Sequence, residues 1–214
     1  FPMIAGKHKG AGMLLYPAQV AEVLAPIAEY PEIQFSLKMR LGWENASECM
    51  VLVELLNALR LSRIALHART GKQQYKGHPD LEAFQGFYEL CQHPLYYNGG
   101  IESLSDIRQI LIRFPLLKGV FIGRGLLSSP LLAKEFKGNE TFLPEQRMSI
   151  YFAFHEELFS AYSQVLQGET QLLVKMKTLW EYFLPETDRK LLKRIKKSTR
   201  LQQYTESVKA IFTS

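Results

Sequence analysis

Between residues 35 and 130, short apolar runs of strand type alternate strictly with amphipathic runs at helical spacing, and this alternation most constrains the fold. It points to right-handed βαβ units on a parallel sheet, because parallel neighbours need a crossover and the helix is the usual one. Residues 35–41 set the pattern: Phe35, Leu37, Met39 and Leu41 share one face, while Ser36, Lys38 and Arg40 share the other. Further strands are expected over residues 63–68, 95–98 and 120–122, and in the first of these Ala65, His67 and Arg69 fall together. Helices are expected from Pro17 through Ile27 with a kink at Pro26, over 47–60, over 81–90, and over 104–114 behind a Ser103/Asp106 capping box.

From about residue 142 the pattern turns to helices only. Pro144 opens a helix carrying Ile150, Phe152, Phe154, Leu158 and Tyr162, and three more are expected over 170–184, 187–197 and 199–212, with breaks at Gly168 and Pro185. Short connections favour antiparallel packing, so an α/β domain over 1–141 followed by an all-α bundle over 142–214 is the expected organisation. With 214 residues, 47% of them hydrophobic, the chain can bury a core. No apolar run reaches the ~18 residues of a membrane span, and the opening lacks the order of a signal peptide, so no membrane and a cytoplasmic location are expected. Cys49 and Cys91 have no metal or redox spacing, and no metal site is expected. The net charge of +5 is unevenly placed, since residues 189–200 hold seven Lys or Arg and no acid.

The chemistry gathers at strand ends. In GVFIGRGLLSSP (119–130), an apolar strand runs into Gly123, Arg124 and Gly125, where bared N–H groups and a planar guanidinium suit a phosphate. Lys38, His67, Asn98 and Arg124 are all expected at or just past the carboxyl ends of successive strands, on one rim. Each has an ordinary alternative: Lys38 as a solvated edge charge, His67 as a satisfied core histidine, Asn98 as the turn residue before Gly99, the glycines as a tight bend. Together they argue for a site, since leaving such groups buried and unpaired costs about 1–3 kcal/mol each. A cation, an imidazole, an amide and a phosphate grip around one mouth suit flavin mononucleotide.

At these residues the chain resembles the tRNA-dihydrouridine synthase family. SLKMRLGW, ALHARTGKQQYKG, YYNGGI and GVFIGRGLLSSP occur in the family's order and at similar intervals, HKGAGMLL resembles the loop after its catalytic cysteine, and the likeness extends into the tail at MKTLWEYF. The resemblance implies a TIM barrel with a C-terminal helical tRNA-binding domain, in which FMN and NADPH serve to reduce particular uridines of tRNA to 5,6-dihydrouridine. By position it assigns flavin contacts to Lys38, His67, Asn98, Gly99, Gly100, Gly123 and Arg124. It sets Arg69 and the loop from Lys72 to Lys76 near the substrate nucleotide. The basic residues Lys190, Lys193, Arg194 and Lys197 are then expected to meet tRNA phosphates.

Four features depart from the family. Ala68 stands where glycine is frequent and Leu81 where tryptophan is frequent, neither of which changes the chemistry. The family's proton-donating cysteine is expected upstream of Phe1, just before the segment matched by residues 1–12, and neither Cys49 nor Cys91 corresponds to it. Only the last four strands of the eight in such a barrel are expected, because its ~250 residues do not fit before residue 141. The chain is therefore expected to be an inactive part of a larger enzyme. An open half-barrel would leave Tyr96 and Val120 against absent strands and favour self-association. Two other readings are another flavin barrel of dihydroorotate dehydrogenase or ene-reductase type, and a non-catalytic RNA-binding fragment.

Overall fold

The computed structural model describes residues 8–213. Phe1, ahead of which the family's cysteine is expected, lies outside the described residues, whereas HKGAGMLL, which resembles the loop following it, occupies residues 8–15 and is described. The expected parallel sheet is present: β1 (Phe35–Gly42), β2 (Leu61–Thr70), β3 (Leu95–Asn98) and β4 (Gly119–Phe121) lie side by side in chain order, each pair parallel. Alternation sends Leu37, Met39 and Leu41 of β1, Ile64, Leu66 and Ala68 of β2, Tyr97 of β3 and Val120 of β4 to the helix-covered face. Tyr96 and Val120 thus point to opposite sides of the sheet, against the expectation that both face the open wall, because the register pairs Val120 with Tyr97. Both are half-buried, and Tyr96 stacks on Phe121 at 5.4 Å.

The helices on that face are shorter than their apolar periodicity suggests, and side chains explain where they stop. α1 (Pro17–Leu24) passes into a 3-10 turn at Ala25–Glu29, since Pro26 has no N–H to continue the ladder. The helix expected over 47–60 is a 3-10 turn, Glu48–Leu52, followed by α2 (Val53–Asn57). Asn57 ends it by spending its amide on the chain after α3 (Leu81–Leu90), donating to the Leu90 carbonyl at 2.9 Å and accepting from Gln92 N at 3.0 Å. A 3-10 turn at Gly10–Leu15 occupies what reads in the sequence as a loop. α4 (Leu104–Arg113) packs its buried Ile107 and Ile110 inward. Edge-to-face contacts of Phe84 with Tyr97 and with Phe114, each at 5.0 Å, fill the space behind β3.

After β4 the chain is helical: α5 (Arg124–Ser128), α6 (Leu132–Gly138), α7 (Pro144–Val165), α8 (Glu169–Leu179), α9 (Arg189–Lys197) and α10 (Leu201–Phe212). Two compact units result, one carrying the sheet through Gly123, the other running from Arg124 onward together with Glu102–Leu104. The sequence pattern sets the expected boundary later, near residue 141. Leu131, between α5 and α6, belongs to the buried core of the helical unit with Tyr151, Met176, Trp180, Phe183, Ile195 and Tyr204, which draws α5 and α6 into that unit.

Candidate functional site

The polar face of the sheet is built by strand phase and inter-strand register. Lys38 and Arg40 of β1, Arg63, Ala65 and His67 of β2, Tyr96 and Asn98 of β3, and Phe121 of β4 all point to it. Register orders them into rows. One row runs Arg40, His67, Asn98, Phe121; the row before it runs Lys38, Ala65, Tyr96, Gly119. Lys38 therefore sits mid-strand, one step short of the row that holds His67 and Asn98, and Arg40 takes the place beside them. The reason is that β1 and β2 continue further than their apolar pattern suggests, and Gly71 N donates to the Gly42 carbonyl at 2.8 Å to carry the pairing on.

His67 is 5% exposed and Arg69 4% exposed, so both are buried at the carboxyl end of β2. Arg69 Nη1 lies 3.4 Å from His67 Nε2, and its Nη2 donates to the Gly77 carbonyl at 3.0 Å, tying the loop after β2 onto the strand. Asn98 donates from Nδ2 to the Phe121 carbonyl at 2.7 Å, which fixes its amide across to β4. Gly99 and Gly100 follow with φ of 133° and 64°, conformations that side chains other than glycine rarely adopt. A Cβ at Gly99 would lie 3.0 Å from His67 Cδ2, so the backbone passes directly over the imidazole. At Gly123 a Cβ would meet nothing within 4 Å, leaving room beside that backbone.

The remaining expected residues divide between the two units. Lys38 reaches solvent, yet desolvation against the groove it lines with Leu37 and Met39, and secondarily the charge of Arg40, lower its pKa. Lys72 is ion-paired with Glu44, and Lys76 is exposed. Arg124 is half-buried at the start of α5, next in the chain after Gly123. In the helical unit, Lys190, Lys193, Arg194 and Lys197 are exposed and line a shallow cavity of about 480 Å³ with Ser198, Gln203, Glu206 and Ser207. α9 buries Ile195 and turns its cations outward, so the charge run forms one wall of that cavity.

Cys49 is fully buried, its thiol bonded to the Ala46 carbonyl, and burial pushes its pKa up to about 12. Burial likewise raises Cys91. Among the described residues no cluster of His, Cys, Asp or Glu is placed to hold a metal ion, and no helix is long and apolar enough to cross a membrane.

One residue of this face, Arg40, was missing from the expected set, while Tyr75 falls inside the expected loop from Lys72 to Lys76 without being singled out there. Arg40 donates from Nη1 to the Thr70 carbonyl at 2.7 Å and the Gln74 carbonyl at 3.1 Å, and its guanidinium lies 5.7 Å from the ring centre of Tyr75. Phase alone could have found Arg40, which shares a face with Lys38. Tyr75 lies in a loop without periodicity, within the segment from Lys72 to Lys76 that the resemblance sets near the substrate nucleotide.

A family model described as dihydrouridine synthase matches residues 2–213. The chain is 30% identical over 128 residues to a probable tRNA-dihydrouridine synthase of Rhizobium leguminosarum bv. phaseoli, covering 59% of this chain and 40% of that protein. It is 34% identical over 135 residues to a probable tRNA-dihydrouridine synthase of Aquifex aeolicus, with 61% and 42% covered. Against the tRNA-dihydrouridine(16) synthase of Haemophilus ducreyi it is 30% identical over 139 residues, with 64% and 42% covered. The matched region is about two fifths of the length of each of these relatives. On a match that extends over nearly all of its residues, this chain belongs to the dihydrouridine synthase family.

Proposed function

We propose that the chain is the flavin-holding and RNA-contacting part of a tRNA-dihydrouridine synthase, which reduces particular uridines of tRNA to 5,6-dihydrouridine with FMN as cofactor and NADPH as electron source. The observation that carries the reading is the polar face itself, where Arg40 stands beside His67 with Lys38 one row behind, and the positive-φ backbone of Gly99 passes over the imidazole. The fit to FMN is good on chemistry. Lys38 and Arg40 bring positive charge, Gly99 and Gly100 bring backbone that a side chain would block, and Gly123, with Arg124 next in the chain, offers open backbone and a guanidinium for phosphate. FMN supplies hydride chemistry when bound. The residues of this chain hold and orient: Asn98 is pinned on β4, His67 is packed under Gly99, and the Lys38 ammonium, already crowded, favours an anionic neighbour. The sheet, with β1 and β4 at its edges, suits the last four strands of a closed barrel.

In the helical unit, the wall of Lys190, Lys193, Arg194 and Lys197 suits RNA phosphates. The test is direct. The purified chain, titrated into FMN, is expected to quench the flavin's fluorescence, and Gly99→Ala to weaken that binding. A chain that quenches nothing while still retarding tRNA in a gel would instead support the non-catalytic RNA-binding reading.

A further inference from the structure

On the helix-covered side of the sheet, a cavity of about 400 Å³ is lined by residues of α3, of α4 and of the turn at 99–101 that follows β3. Tyr97 lines it too. This residue has the opposite strand phase from His67 and Asn98, so it points away from the polar face. It is 1% exposed, and Phe84 holds its ring edge-to-face at 5.0 Å. Among the described residues its hydroxyl has no hydrogen-bond partner, and it lies 3.6 Å from where a Cβ on Gly99 would stand, at the cavity wall. A buried donor left without a partner is costly, and nothing in the packing of the phenol explains the hydroxyl.

We propose that this cavity binds a small neutral aromatic carbonyl compound, an amide or lactam, whose oxygen accepts a hydrogen bond from Tyr97. Burial pushes the pKa of the phenol up to about 12, with Arg69 lowering it and Asp106 raising it. At neutral pH the hydroxyl therefore keeps its proton, and the ligand must bring an acceptor. Charge decides against an anion, since the arginine of the lining, Arg113, is already paired with Glu82, while Asp106 sets a carboxylate in the wall. Pro79, Leu81 and Ile110 give apolar surface that suits a flat ring. The site is independent of flavin and of RNA.

The probe is benzamide, titrated into the full chain and followed by saturation-transfer NMR, with benzoate as a charged control of the same shape. The wild type is expected to bind benzamide at about millimolar affinity, the scale for so small a ligand, and benzoate more weakly. Tyr97→Phe is expected to lose about tenfold in benzamide affinity, the scale of one hydrogen bond, with an unfolding midpoint no lower than that of the wild type, because its hydroxyl leaves no partner behind. Leu81→Trp, which fills the cavity, is expected to abolish binding. Tyr97→Phe that binds benzamide as the wild type does, or benzoate that binds as tightly as benzamide, would overturn the assignment. So would a wild type that binds neither.

Discussion

The hydroxyl of Tyr204 lies 2.7 Å from His155 Nε2 and also accepts the indole N–H of Trp180 at 3.0 Å, joining three elements of the helical unit through one buried oxygen. Tyr204 donates to Nε2, so the neutral imidazole carries its proton on Nδ1, which faces Glu156 Oε1 at 3.1 Å. Every polar atom of the cluster is satisfied only while His155 is neutral.

Acid should therefore weaken this unit. His155 is 1% exposed, and burial outweighs the opposing effect of Glu156 to hold its pKa below the ordinary 6.5. As pH falls, the unfolded chain binds this proton before the folded chain does, so the stability contribution is full above about pH 6.5 and declines below it until the folded pKa is passed. Urea unfolding followed by tryptophan fluorescence from pH 7.5 downward is expected to show that decline, and His155→Gln to flatten it.

Removing the hydroxyl should cost more than one hydrogen bond. Tyr204→Phe leaves both His155 Nε2 and Trp180 Nε1 buried without this partner, at about 1–3 kcal/mol for each group. Urea midpoints at neutral pH test this, and a variant as stable as the wild type would refute it.

Gly99→Ala should disturb the site more than the fold. The added methyl would sit 3.0 Å from His67 Cδ2 on a backbone at φ 133°, so either His67 shifts or the Gly99 turn opens, with strain of about 1–3 kcal/mol. A loss of FMN affinity larger than the loss of unfolding stability is the expected outcome.

RNA binding through the α9 wall should be steeply salt-dependent. Replacing Lys190, Lys193, Arg194 and Lys197 with Ala is expected to reduce the slope of log affinity against log salt, while FMN binding is unchanged. An unaltered slope would return these cations to a solvated helix face.

The isolated chain is expected to self-associate. β1 and β4 both end the sheet, and an apolar groove of about 440 Å³ lined by Leu14, Val20, Leu24, Leu37 and Met39 runs along β1. Light scattering that finds a monodisperse monomer, together with no binding of a hydrophobic dye, would contradict this.

The sequence by itself determined the parallel α/β sheet and the helical tail, because strand and helix periods are local properties of side chains along one segment. Period two also determined that Lys38 shares a face with Arg40, and His67 with Arg69. Which of these meet was decided only in three dimensions. The pairing of β1 with β2 set Arg40, rather than Lys38, beside His67, and a shift of two residues leaves the apolar alternation of either strand unchanged, so nothing local distinguishes the two. How Tyr75's loop is held was likewise decided there, Gln73 binding the Lys76 and His78 carbonyls and Arg40 the Gln74 carbonyl. The His155–Tyr204 pair spans 49 residues, and in each helix taken alone these two read as ordinary core positions. Hydrogen-bond partners across such distances follow from how whole elements pack, which no window of sequence contains.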